Sequence, residues 1–236
     1  MPKKSLSTFA SSRHVLQPRQ VRSREALIRI LQAAEQLLRE KGLDGFSMNE
    51  VAKKSGLPVG NIYRRFKGKA ELLLAIKEDV TSKIENAVVE RISDKKFSDI
   101  SSLMLGFVEA LIDAFAHDES VHLILFDRRV RDAELDQVGF TGRQHIFAYY
   151  RNALLPLMPE INRRNAETLV RVSFHIVAAA VVGKADGYDQ TISRMSWKSL
   201  GTEFAQAALC YLHSNIAVLK RNSAKPRSAP RIVLKR

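Results

Sequence analysis

The residues best equipped for chemistry are a run of carboxylates and imidazoles, Asp113, His117, Asp118, Glu119, His122 and Asp127, a donor set that could hold a divalent metal or move protons. Their spacing argues against both. His117 and His122 are five positions apart, about 140° around a helix, so they cannot face one ligand. Asp113 with His117, and Asp118 with His122, do share faces at four-residue spacing, but two donors per face do not close a metal site. Solvated ion pairs are the expectation. The sequence also has no glycine-rich phosphate loop and no nucleophile elbow. No catalytic residue, metal or cofactor is expected, and nothing argues for an enzyme.

A different chemistry is written at the two ends. The 236 residues carry 38 Lys and Arg against 25 Asp and Glu, a formal net charge of +13. Residues 1–24 hold Lys3, Lys4, Arg13, Arg19, Arg22 and Arg24 without an acid. Residues 220–236 hold Lys220, Arg221, Lys225, Arg227, Arg231, Lys235 and Arg236, again without an acid. These cations account for the whole net charge, so the body between them is neutral. Such arms suit a polyanion, which they attract while releasing its counterions. By charge alone, tails that merely keep a protein soluble fit as well. The lone cysteine, Cys210, excludes an intramolecular disulfide, suits a reducing cytoplasm, and is expected to be a small buried apolar residue. The longest apolar run, Ile176 to Gly183, is far short of the roughly 18 residues of a bilayer span. No apolar signal core follows Lys3 and Lys4, so a cytoplasmic protein without a membrane partner is expected.

The elements that must position any site are helical. No stretch alternates with period two, and no Asn-Gly or Asp-Gly hairpin separates β-branched runs. A first helix, about 22–41, places Leu27, Leu31, Ala34 and Leu38 on one face, with Ile30 and Leu37 beside them, before Gly42 stops it. A second starts at Ser47, whose hydroxyl can cap the helix while Glu50 reaches back in a capping box, and runs to about Lys54. A third starts near Pro58, tolerated in a first turn, and ends about Phe66. A fourth runs from about Lys69 toward Arg91. Further helices are expected at about 98–117, 119–132, 138–156, 159–184 and 195–218, with Gly and Pro residues between or within them.

From Met48 to Phe66 the pattern fits a helix-turn-helix: apolar Val51, small Ala52, Gly56 in the turn, then Leu57 and Ile62. Two short helices crossing steeply leave room only for a small side chain at Ala52. A sharp turn favours a residue that takes positive φ cheaply, as Gly56 does.

The stretches from Arg24-Glu25-Ala26-Leu27-Ile28 to Arg39-Glu40-Lys41-Gly42, Phe46-Ser47-Met48-Asn49-Glu50-Val51-Ala52-Lys53-Lys54-Ser55-Gly56, Gly60-Asn61-Ile62-Tyr63-Arg64-Arg65-Phe66 and Lys69-Ala70-Glu71-Leu72-Leu73 together resemble the DNA-binding domain of the TetR family of transcription regulators. The resemblance implies a recognition helix, Pro58 to Phe66, laid in the major groove of a double-stranded DNA operator. It matches Tyr63 and Lys69 to phosphate-contacting positions, Lys69 at a helix start where the dipole also favours an anion. Ser47 matches another backbone-contacting position, and a pure capping role suits it equally. Val59, Gly60 and Asn61 fall where base edges are approached; Asn61 can pair bidentately with adenine and Val59 can touch a thymine methyl. Three positions depart from the family's pattern. Pro58 replaces a hydroxyl residue and removes a polar contact, Arg65 replaces an aromatic residue or histidine and keeps a phosphate contact, and Gly68 replaces a capping residue. Arg64 is divided between phosphate and solvent. The arm with Arg13, Arg19 and Arg22 could enter the adjacent minor groove.

The family's second half, a larger helical ligand-binding and dimerising domain, is matched in length and periodicity rather than by motif. The helix at 159–184 is apolar on more than one side, Leu169, Val172, Ile176 and Ala180 against Val170, Phe174, Val177 and Val181, so it must be covered twice. A homodimer would supply one cover and suits a symmetric operator. The helix at 195–218 is the expected partner surface, with Ala178, Ala179, Ala180, Gly183, Ala205, Ala207 and Ala208 allowing close approach; packing within one chain explains them nearly as well. A pocket for a small-molecule effector is expected among Phe107, Phe126, Phe147, Tyr150 and Phe174, with Arg151 or His175 supplying polarity. For each of these alone, plain core is the simpler role.

The expected architecture is all-α: a disordered basic arm (1–20), a TetR-type helix-turn-helix domain (21–70), a helical ligand-binding and dimerisation domain (71–220) and a disordered basic tail (221–236). The expected function is a ligand-released repressor. Two rivals remain: a nonspecific, arm-driven DNA binder, and a helical small-molecule-binding protein with a vestigial DNA domain.

Overall fold

Apolar residues at helical spacing bury one face of each long segment, and the helices they form pack into an all-α molecule. The structure is a computed structural model that describes residues 21–43, 45–93, 97–127, 132–161, 165–187 and 190–213. Both terminal arms lie outside the described residues, so the expectations made for them are neither met nor refused.

Helix α1 (Val21–Lys41) buries Leu27, Ile30, Leu31, Ala34, Leu37 and Leu38, the face the sequence assigned to the core. Helix α2 (Met48–Ser55) is capped by Ser47, whose Oγ accepts from the Glu50 amide at 3.3 Å while also donating to its carboxylate at 2.9 Å. The short α3 (Val59–Tyr63) follows, with Pro58 as N-cap. It is shorter than the Pro58 to Phe66 expected, because Arg64 and Arg65 form a turn that brings Phe66 into the core at 0 % exposure. Helix α4 (Lys69–Ile92) continues unbroken from this small domain into the larger one.

The larger domain comprises α5 (Ile100–His117), α6 (Glu119–Leu125), α7 (Ala133–Leu154), α8 (Ala166–Ala185), the short α9 (Gln190–Ser193) and α10 (Trp197–His213). A 3₁₀ helix over Leu155–Glu160 follows α7 and includes Pro156 and Pro159. The helix expected from residue 159 therefore starts later, since neither proline can donate an interior helical hydrogen bond. Helix α6 ends at Leu125 rather than at residue 132. Helix α4 packs on α5 and α7, and α10 packs on α5 and α8.

Helices α5 and α8 are long and apolar enough by composition to cross a membrane, with window mean hydropathies of 1.4 and 1.5. A count of unbroken apolar residues misses this. Here they serve as core helices, α5 burying Leu103, Met104, Phe107, Leu111 and Phe115, and α8 burying Leu169, Val170, Phe174, Val177 and Val181.

Candidate functional site

The first candidate surface is the helix-turn-helix. Gly56 takes φ 65°, the left-handed conformation expected for the turn, and caps α2 through its amide. Val51 and Ile62 are fully buried and Ala52 nearly so, so the corner is packed as its residue types imply. The sequence reading missed the clamp on this corner. Arg29 of α1 donates through Nε and Nη2 to the Ser55 carbonyl at 3.1 and 2.6 Å, and through Nη2 to the Gly56 carbonyl at 3.3 Å. A helical arginine reads from sequence as solvated, which hides this role.

The face left open carries the residues assigned to DNA. Val59 is 40 % exposed and Tyr63 52 % exposed, high values for large apolar or aromatic side chains in a folded chain. Pro58, Gly60 and Arg64 are exposed and Asn61 half-buried. A Cβ added to Gly60 would meet nothing within 4 Å, so no local packing demands glycine there. Ser47 sits half-buried at the start of α2, its hydroxyl already engaged as a cap.

Two basic residues are placed differently from the expectation. Arg65 turns inward, its Nη2 donating to the Ser23 carbonyl at 3.0 Å and hydroxyl at 2.8 Å, with Nε buried and unpartnered. Burial, then the neighbouring Arg64, draws the guanidinium pKa down. Arg65 thus braces α1 against the end of the recognition segment rather than extending to solvent. Lys69 sends Nζ to the Leu43 carbonyl at 2.6 Å and lies over the Phe46 ring at 5.5 Å, closing the loop between α1 and α2. It still opens α4, whose N-cap Gly68 offers no side-chain cap.

The second candidate site is a cavity of about 370 Å³ enclosed by α4, α5, α6, α7 and α8. Among the expected pocket residues, Phe126 and Phe174 line it. Phe107, Phe147 and Tyr150 instead form an aromatic cluster around Phe174, with centroids 4.6 to 5.9 Å apart, and Tyr150 Oη is paired with Ser173 Oγ at 2.9 Å. Burial pushes the Tyr150 hydroxyl well above its ordinary pKa. Arg151 is taken by an ion pair with Glu167 at 2.9 Å, and His175 is exposed. Neither lines the cavity. These five residues are correct in region and wrong in direction, because helical spacing gives a face only once its neighbours are known.

The polar groups of the cavity come from elsewhere: Lys77 and Thr81 of α4, Asp127 beyond α6, and Asp136 and Arg143 of α7. Lys77 is 4 % exposed, donates to the Leu125 carbonyl at 2.6 Å and lies 3.4 Å from the Phe126 ring centroid. Burial draws its pKa down to about 8; Asp136 opposes that shift and Arg143 adds to it.

The carboxylate and imidazole run separates on folding. His122 is buried, with Nδ1 2.9 Å from the Phe115 carbonyl, and burial lowers its pKa. Asp118 pairs with Arg39 of α1 rather than with His122, so that expected solvated pair does not form. Among the described residues no group of three or more His, Cys, Asp or Glu is placed to hold a metal. Cys210 is exposed rather than buried. Of the small residues on α8 and α10, Ala178, Ala180, Ala205 and Ala208 are buried within the single chain, while Ala179 and Ala207 remain exposed.

A charge cluster with buried Glu35 and Asp79 and a half-exposed Lys83 ties α4 to α1. Lys83 of α4 pairs with Glu35 of α1 at 2.6 Å and with Asp79 at 2.7 Å. Burial, with Asp79 adding to it, keeps the Glu35 carboxyl above its ordinary pKa although Lys83 acts the other way.

Residues 30–76 match the sequence profile of bacterial regulatory proteins of the tetR family. HTH-type transcriptional regulators of Staphylococcus aureus strains USA300 and NCTC 8325 / PS 47 are each 43 % identical over 44 residues, covering 19 % of this chain and 24 % of theirs. The match thus spans about a quarter of the length of these curated relatives. The fold extends further. The fatty acid degradation regulator FadR from Bacillus halodurans superposes with TM-score 0.63 at 14 % identity, over 82 % of this chain and 97 % of that one. FadR from Bacillus subtilis in complex with stearoyl-CoA gives 0.60 at 19 %, over 77 % and 97 %. A tetR-family regulator from Streptomyces coelicolor gives 0.62 at 16 %, over 79 % and 80 %.

Proposed function

We propose that the chain, whose residues 30–76 match the tetR-family profile, is a regulator of that family that binds a near-palindromic DNA operator as a homodimer and represses transcription until a small molecule enters the cavity. The observation that carries this reading is the open face of α3: Val59 and Tyr63 stand exposed on a helix-turn-helix whose other apolar residues are buried or, at Leu57, half-buried. In the proposed complex Val59, Gly60 and Asn61 meet base edges, with Pro58 at the helix start. Tyr63, Arg64, Ser47 and Lys69 hold the phosphate backbone. Arg65 supports them through α1.

The second subunit would lie along the remaining open faces of α8 and α10, in the cytoplasm where such regulators meet DNA. Helix α4 is one continuous element with Lys69 at the DNA end and Lys77 at the cavity, so a ligand that favours one placement of α4 biases the spacing of two recognition helices. The stearoyl-CoA complex of Bacillus subtilis FadR, a protein of the same fold, supports reading the cavity as an effector site.

Selection of bound duplexes from a random library at about physiological ionic strength tests the reading. Enrichment of a palindrome with spaced half-sites supports it. Folded protein that enriches no sequence, with or without cavity ligands, overturns it.

A further inference from the structure

The effector reading leaves the ligand's chemistry open, and the cavity's own polar groups narrow it. Lys77 and Thr81 lie four residues apart on α4, hence on one helix face, and both line the cavity. Thr81 is 8 % exposed and its Oγ1 is buried without a hydrogen-bond partner. Orphaned buried hydroxyls are uncommon; this one has almost no accessible surface, so a ligand atom completes its bonding only when the side chain turns toward the cavity.

Lys77 is the companion feature. Among the described residues it has no carboxylate within ion-pair distance, only the Leu125 carbonyl and the Phe126 ring. An ammonium has three donors, so capacity remains after the Leu125 bond. Asp136 and Arg143, also lining the cavity, are both exposed and of opposite sign. Asp127 is already engaged. Of the charged side chains that line the cavity, Lys77 is the one fully buried, and its charge is positive. The same burial draws the pKa of Lys77 down.

The remaining lining is largely aliphatic: Ile84, Leu111, Leu125, Ile146, Val181 and Val182. Close approach of α7 shapes it, since a Cβ on Gly142 would overlap Thr81 Cγ2. The volume is at the small end of the range for small-molecule sites.

We propose that the cavity binds a small aliphatic carboxylate, with its carboxylate held by Lys77 Nζ on α4, the Thr81 hydroxyl turning to join it, and its chain against the aliphatic wall. An amine would meet Lys77 as a like charge, and a neutral amide would forfeit the charge-assisted bond. This deepens the effector reading given above and depends on it only for the location of the ligand.

Titration calorimetry of the full chain with octanoate, octanamide and octylamine, without DNA, tests the assignment. Octanoate is expected to bind, with octanamide about tenfold or more weaker and octylamine not binding. Lys77→Met is expected to lose most of the octanoate affinity and the preference over octanamide, and Thr81→Val to lose part of it. Circular dichroism confirms that each variant is folded; if Lys77→Met fails to fold, Thr81→Val and the ligand series decide alone. Equal binding of octanoate and octanamide, octanoate affinity unchanged in the folded variants, or no octanoate saturation below about 10 mM would each overturn the proposal. Octanoate binding by a protein that selects no DNA sequence would count against the regulator reading and leave this one standing.

Discussion

Lys77 is a buried cation whose titration should be visible in the stability of the fold. Its pKa is about 8 in the folded chain against an ordinary 10.5, with burial the main cause. The sign follows from linkage. Between pH about 8 and 10.5 the unfolded chain binds more protons, so stability rises with pH across that window, and below it the full cost of the buried charge is present. Lys77→Met should raise stability at pH 7 by about 2 kcal/mol, the roughly 3 kcal/mol of the shift less about 1 for the lost bond to the Leu125 carbonyl, and flatten the alkaline rise, as read by urea denaturation across the pH range; unchanged pH dependence would contradict the assignment. At the DNA face, Asn61→Ala should relax preference at particular base pairs, worth about 1–3 kcal/mol of discrimination, while Tyr63→Phe weakens binding to every sequence alike. Competition with single-base operator variants separates the two effects. At this scale the exposed positions Val59 and Tyr63 of α3 were legible, because a short motif fixes their relative placement. The sequence did not show Lys77 and Thr81, which look like ordinary polar positions until α7 and α8 close over them.

Among the elements, the α2–α3 corner depends on one backbone conformation. Gly56 has φ 65°, and a Cβ there would stand 3.0 Å from Arg29 Nη2, the atom that holds the turn. Gly56→Ala should therefore cost about 1–2 kcal/mol and loosen the Arg29 clamp, measurable as a lower melting temperature with operator affinity falling more than stability explains. A melting temperature equal to wild type would show that the turn tolerates a side chain. The ends of α1 and α2 were legible because their signals are local: Gly42 takes φ 66° and Ser47 caps as its spacing to Glu50 implies. The boundary between α7 and α8 was not. Pro156 and Pro159 could each stop one helix or start the next, and the chain uses both within a 3₁₀ segment. Helix α6 likewise ends at Leu125, where its carbonyl is held by Lys77 from a distant part of the sequence.

On the scale of the whole molecule, the charge distribution separates two ways of holding DNA. The net +13 resides in residues 1–24 and 220–236, whereas the residues proposed to read bases lie on α3. Removing residues 1–20 and 222–236 should lower affinity and flatten its salt dependence, since fewer phosphates are neutralised, while the ranking of operator variants stays unchanged. Lost ranking would place the specificity in the arms. The all-helical class followed from periodicity, because long amphipathic helices declare themselves. The direction of the aromatic side chains in the larger domain did not, because it depends on which helices meet.

The most direct test of the central claim is the ratio of affinities of the full chain for a selected palindromic duplex and for a scrambled duplex of equal length and composition, at about 0.15 M salt. The expected ratio is about a thousandfold or more, falling sharply in Asn61→Ala. A ratio near one, with affinity that collapses as salt rises, would contradict sequence reading by α3 and identify a protein that grips DNA through its charge.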